Sequence, residues 1–182
     1  MTCIIGLKDK GDIYMGGDSA GVEDLHLQIR ADEKVFINSN YIMGFTDSYR
    51  MGQLLRYSLK PPKNINMELY DFMVNEFINE VRKCLKEGGF IQKKDEVEKG
   101  GAFLVGYKGR LFCVDEDFQV GEMIDDFVCC GCGRDMALGS LYSTKDLHMN
   151  PFARITLALE AAERYSIGVR GPFKIIRLVD EK

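Results

Sequence analysis

The sequence is short of several things, and each shortage excludes a class. It has four Pro and no Ser- or Gly-rich tract, which argues against a linker or a disordered arm. No apolar stretch approaches the ~20 residues that a membrane-spanning helix needs. No basic stripe is present: the net charge is -4, and Lys and Arg are scattered among acids, as in Lys93-Lys94-Asp95-Glu96. Nucleic acid is therefore not an expected partner. No cationic segment precedes an apolar core and a cleavage site, so no export signal is expected and the cytoplasm is the default location. No Gly-x-x-x-x-Gly-Lys-Ser/Thr loop occurs, so the chain is not expected to hydrolyse ATP. Only two His are present, His26 and His148, far apart in sequence.

What remains is ordinary globular composition. The 182 residues are 46% hydrophobic and 29% charged, which fits one compact domain over residues 1–182 with a sizeable core. Six Cys without an export signal read as free thiols rather than a disulfide framework. The run Cys129-Cys130-Gly131-Cys132 lacks a second ligand pair at metal spacing, so it reads as mostly buried small hydrophobes.

Alternation and turn residues predict short strands at Cys3 to Leu7 and Ile13 to Gly17, around the turn Asp9-Lys10-Gly11-Asp12. Two more follow at Lys34 to Ile37 and Tyr41 to Phe45. Asp47-Ser48 can cap a helix through Met51, Leu54 and Leu55, stopped by Pro61-Pro62. A longer helix over Met67 to Glu87 paints one apolar stripe and ends at Gly88-Gly89. The polar stretch Ile91 to Gly100 reads as an exposed loop. Strands follow at Ala102 to Tyr107, Arg110 to Asp115 and within Gln119 to Cys130. Helices over Met136 to Tyr142 and Phe152 to Tyr165 and a strand at Phe173 to Val179 close the chain. Strands joined by tight hairpins, with helices in separate blocks, predict an α+β fold: two stacked antiparallel sheets with helices outside, α-β-β-α.

The N-terminus carries the chemistry. If Met1 is removed, Thr2 becomes the first residue and unites a hydroxyl nucleophile with an α-amine base. That amine has an ordinary pKa of about 7.7–8.0, so it can be neutral near physiological pH and no His is needed. A nearby ammonium would keep the amine unprotonated and favour the alkoxide. A buried ammonium in turn needs a carboxylate. Asp18 and Lys34 offer both, at intervals of 16 residues from Thr2 and from each other. Singly, each residue is commonplace; the ordered triplet with its hairpin and Gly-rich turn is fairly specific.

Thr2-Cys3-Ile4-Ile5-Gly6, Gly16-Gly17-Asp18 and Arg30-Ala31-Asp32-Glu33-Lys34-Val35 resemble the proteasome β-subunit superfamily, and most of all the HslV-type peptidases. The resemblance continues through Met43-Gly44-Phe45 and resumes at Val128 to Gly133 and Ala161 to Gly168. It implies a threonine-type N-terminal nucleophile hydrolase: Thr2 attacks a peptide carbonyl, Lys34 tunes it and Asp18 orients Lys34. It implies an oxyanion donor in the turn from Gly44 to Ser48, aligned at Asp47, where the family usually has Gly. Cys132 matches a Ser of the family that polarises the nucleophile's amine. A thiol is a poorer donor, so either its backbone acts or activity is tuned down. Ser166, in Glu163-Arg164-Tyr165-Ser166, matches a steadying Ser. The same loop can hold a sodium or potassium ion through carbonyls that map to Glu163, Ser166 and Val169; no other cofactor is implied. Pocket residues are expected near Ala31, Phe45 and Tyr49. The implied partners are copies of the chain in a ring or double ring, a polypeptide substrate and a separate ATPase unfoldase. Two alternatives stand beside this: a catalytically silent scaffold of the same fold, and a small-molecule amidase.

Overall fold

The computed structural model describes residues 1–94 and 96–179; Asp95 and the last three residues lie outside the described part. The chain begins with β1 (Ile4–Asp9), β2 (Asp12–Gly17), β3 (Ala20–Glu23), β4 (His26–Ile29), β5 (Val35–Asn38) and β6 (Tyr41–Phe45). Helix α1 (Tyr49–Gln53) runs on into a π-helical turn, Leu54–Ser58. Helix α2 (Leu69–Phe72), a second π-helical turn (Met73–Phe77) and α3 (Ile78–Glu87) form the long helical stretch. Then come β7 (Gln92–Lys94), β8 (Val97–Lys99), β9 (Phe103–Tyr107), β10 (Arg110–Val114), β11 (Val120–Glu122) and β12 (Phe127–Cys130). Helices α4 (Arg134–Ser143) and α5 (Pro151–Tyr165) and strand β13 (Lys174–Leu178) complete it.

Two antiparallel sheets form the centre, one ordered β12-β1-β2-β13 and the other β11-β10-β9-β6-β5. Both faces of each sheet are covered, so the alternating side chains of the inner strands β1, β6 and β9 are apolar on both sides. In β1, Ile5 and Leu7 point to α4 and α5, while Ile4 points to the other sheet. In β6, Tyr41, Met43 and Phe45 face α1–α3, and Ile42 faces β1 and β2. The core therefore divides into three clusters: helices on the five-stranded sheet, sheet on sheet, and helices on the four-stranded sheet. This is the four-layer α-β-β-α sandwich. Glycine sets the sheet spacing where it is tightest: a Cβ at Gly44 would stand 2.5 Å from Ile4 Cγ2 and 2.8 Å from Met15 Sδ.

The helices follow their local chemistry. Ser48 alone caps α1, accepting the Arg50 N–H; Asp47 does not share that role. Asn150 accepts the Ala153 N–H at 2.8 Å, with Pro151 at the first helical position of α5. Ile155, Ala158, Leu159 and Ala162 then make one buried stripe.

Two stretches depart from the sequence reading. The polar stretch Ile91 to Gly100 is a short hairpin, β7 with β8, rather than a loop; Arg82 and Lys86 on α3 bridge to Glu98 and hold it down. A second hairpin, β3 with β4, stands in the stretch between Asp18 and Lys34, its outer strand wholly exposed. Gln119 to Cys130 holds two strands, within what the sequence predicts, β11 in one sheet and β12 in the other. Among the described residues, no helix is long and apolar enough to cross a membrane.

Candidate active site

Three chain segments meet at one end of the sandwich. The β1–β2 ladder pairs Ile4 with Gly17, so the residues beyond it, Cys3 and Asp18, also lie side by side. The Cys3 N–H donates to Asp18 Oδ1 at 3.0 Å. Lys34 precedes β5 in the facing sheet and reaches across the gap. Its Nζ lies 2.9 Å from Asp18 Oδ1 and 2.8 Å from Thr2 Oγ1. The Lys34 and Asp18 side chains are 1% and 0% exposed, so this ammonium has no water to solvate it. Burying an unpaired ammonium costs several kcal/mol, which the carboxylate offsets. Asp18 is itself held by three backbone donors: Cys3, Ala20 at 2.9 Å and Arg170 at 3.3 Å. Burial pulls the Lys34 pKa down, against the opposing pull of Asp18.

Thr2 is buried, and its hydroxyl also donates to the Met1 carbonyl. While Met1 is joined to it, the Thr2 nitrogen is an amide. That nitrogen donates to Cys132 Sγ at 3.3 Å, and the same sulfur lies 3.3 Å from Ser166 Oγ. Cys132 is thus exposed at the site, unlike Cys129 and Cys130, which are buried in β12 with thiol pKa values pushed well up by burial. The cysteine run is mostly buried, as its composition suggests, and Cys132 leaves the core because Gly131 turns the chain out of the strand. Gly131 has φ +93°, and a Cβ there would lie 2.2 Å from the Thr2 carbonyl oxygen, so only glycine fits. The Gly133 N–H donates to that oxygen at 3.2 Å.

The turn after β6 presents Asp47 with φ +63°, a left-handed conformation that glycine prefers and Asp tolerates. This accounts for Asp at a position where the resemblance implies Gly. Among the described residues the Asp47 N–H donates to no group, while its carboxylate accepts the Ala102 N–H at 2.9 Å. Thr46, which sequence reasoning did not single out, is buried beside it and tied to the Ala102 carbonyl. Gly44 is not at this turn; it lies inside β6 at the sheet–sheet contact and does not line the cleft.

A cleft of about 210 Å³ opens from Thr2 and Lys34 toward Ala20, Phe45, Asp47 and Tyr49. Phe45 and Tyr49 line it as expected, whereas Ala31 is exposed outside it. Arg30, not anticipated, lies 3.8 Å over the Tyr49 ring and is gripped by Asp32 through two 2.7 Å hydrogen bonds. Burial pushes the Tyr49 phenol up to about 12.

Glu163, Ser166 and Val169 come together at the end of α5, but a side chain already stands among them. Arg170 Nη1 donates to the carbonyls of Glu163 and Val169, each at 3.0 Å. Nothing in the sequence marked Arg170, because its contacts exist only once the loop has folded back.

A scan against family models and a search of curated proteins match nothing. Among solved structures, Thiobacillus denitrificans BPH in complex with Epoxomicin superposes with a TM-score of 0.84 at 18% identity, covering 100% of both chains. A second structure of Thiobacillus denitrificans BPH gives 0.83 at 18% identity over 98% of each chain. Eukaryotic HslV from Trypanosoma brucei gives 0.71 at 15% identity over 98% of this chain and 99% of that one. With its sheet order, its helical layers and these full-length superpositions, the chain has the fold of the proteasome β-subunits and HslV-type peptidases.

Proposed function

We propose that the chain is a threonine-type endopeptidase of the HslV and proteasome β-subunit kind, active once Met1 is removed. The observation that carries this is the buried contact of the Lys34 ammonium with both the Thr2 hydroxyl and Asp18. A lysine placed only for solubility would point to water; this one is aimed at a hydroxyl.

In this reading the freed α-amine of Thr2 takes the hydroxyl proton through a water, while the Lys34 ammonium stabilises the oxygen as it gains charge. Thr2 Oγ1 adds to the substrate carbonyl, and the oxyanion takes the unpartnered Asp47 N–H. Collapse expels the amine half of the substrate, which receives the proton, and leaves an ester on Thr2. Water, activated by the same amine, hydrolyses the ester. Cys132 and Ser166 steady the amine. Copies of the chain enclose the site in a ring or double ring, a separate ATPase feeds it with unfolded chains, and the assembly works in the cytoplasm.

The Asp47 carboxylate favours a second reading, a silent scaffold, since it adds negative charge to the turn that would receive an oxyanion. One experiment separates the two. The protein is treated with a threonine-directed epoxyketone and weighed intact, alongside cleavage of a fluorogenic peptide. The peptidase gains one adduct on a chain lacking Met1, and Thr2→Ala loses both adduct and turnover. Unchanged turnover by Thr2→Ala ends the peptidase reading, and a wild-type chain that never reacts supports the scaffold.

A further inference from the structure

We propose that the Arg170 guanidinium stands in for the monovalent cation that the sequence resemblance implies at Glu163, Ser166 and Val169, so that the site works without a bound sodium or potassium ion. The residues present do not fit a free ion. The Glu163 and Val169 carbonyls both point at Arg170 Nη1 at 3.0 Å, and the Ser166 carbonyl accepts the Val169 N–H at 3.4 Å. The Glu163 carboxylate is taken by the Gly171 N–H at 2.9 Å. An ion coordinated by the first two oxygens would sit against a fixed positive charge that shares them.

The position calls for a cation. Helix α5 ends at Tyr165, and its last carbonyls carry the negative end of the helix dipole. Arg near a helix C-terminus satisfies such carbonyls and their charge together. A tethered guanidinium does so with no loss to dilution and with fixed donor directions, which a spherical ion lacks.

Arg170 is also joined to the nucleophile's support. Its own N–H donates to Asp18 Oδ2 at 3.3 Å, and its carbonyl accepts the Ser19 N–H at 2.8 Å. The loop it closes carries Ser166, whose hydroxyl meets Cys132 and accepts the Gly168 N–H at 3.4 Å. The Arg170 backbone thus joins Asp18, while its guanidinium, through the Glu163 and Val169 carbonyls, closes the loop that carries Ser166 to Cys132, which makes the side chain a positioning group.

The test compares the full-length protein in sodium chloride, potassium chloride and choline chloride at equal ionic strength, reading melting temperature and the rate of epoxyketone labelling. The melting readout is independent of the peptidase reading; only the labelling readout rests on it, so a protein that never labels defeats that reading and leaves this comparison intact. Wild type is expected to melt at the same temperature in all three salts and to label at rates within twofold. Arg170→Ala is expected to melt lower and label at least tenfold more slowly in choline, with both recovering in sodium or potassium. Arg170→Lys is expected to recover most of the rate in choline, since it restores a tethered charge. A wild-type melting temperature several degrees higher in sodium or potassium than in choline overturns the proposal. So does a folded Arg170→Ala that is indifferent to the salt. If Arg170→Ala does not fold, Arg170→Gln takes its place, and the wild-type comparison decides on its own.

Discussion

Asp18 does the work of several residues. It pairs with Lys34 and accepts N–H groups from Cys3, Ala20 and Arg170. Asp18→Asn keeps the shape but leaves a buried ammonium without its counter-charge, a change worth about 3–5 kcal/mol. The expected result is a melting temperature lower by on the order of 10 °C, read by calorimetry, with epoxyketone labelling lost. The pH dependence follows from Lys34, whose pKa burial lowers from its ordinary 10.5. Above the lowered value Lys34 is neutral and the Thr2 hydroxyl loses its ammonium partner, so labelling falls on the basic side before pH 10.5. Stability moves the other way. Between the lowered pKa and the ordinary one the unfolded chain holds a proton that the folded chain has released, so the Lys34 contribution to stability rises with pH. Urea titrations across that window should show the rise while labelling declines. At Cys132, a hydroxyl is a better donor and acceptor than a thiol. Cys132→Ser should therefore label at or above the wild-type rate, whereas Cys132→Ala should label more slowly.

Among the elements, the strands that bear the site were plain in the sequence and the elements around them less so. Cys3 to Leu7 and Ile13 to Gly17 are apolar and joined by a tight turn, so their pairing, and with it the meeting of Thr2 and Asp18, was readable. Lys34 was readable because it opens an apolar strand. The β3–β4 hairpin was not: His26, Leu27, Gln28 and Ile29 are all exposed, so no buried face imposes a pattern. Cys132 was legible only through the resemblance, because its neighbours in β12 are core residues and only the turn at Gly131 separates it from them. Arg170 was invisible because its partners lie seven residues back, one residue back and 152 residues away. Two substitutions test the elements themselves. Gly44→Ala forces a methyl against Ile4 and Met15 and should cost about 1–3 kcal/mol, seen as a lower urea midpoint. Asn150→Ala removes the cap of α5 and should cost about 1 kcal/mol while leaving labelling unchanged.

On the scale of the whole molecule, the sandwich leaves large apolar side chains uncovered at its rims. Leu25, at the tip of the β3–β4 hairpin, is 98% exposed, and Ile124, in the turn before β12, is 104% exposed. Apolar tips of this kind fit contacts between copies, as the proposed ring requires. Native mass spectrometry should find a multiple of the 20.6 kDa chain. Leu25→Asp and Ile124→Asp should shift the population toward smaller species without lowering the melting temperature of the isolated subunit.

The donors that fix the Asp18 carboxylate come from residues 3, 20 and 170, which has a consequence for timing. A polypeptide leaving the ribosome exposes Thr2 well before Arg170, the last of these donors. Until that far segment has returned to the beginning, the carboxylate is incompletely held and the hydroxyl stays idle. On the peptidase reading, a half-made subunit is therefore harmless to the chains growing beside it.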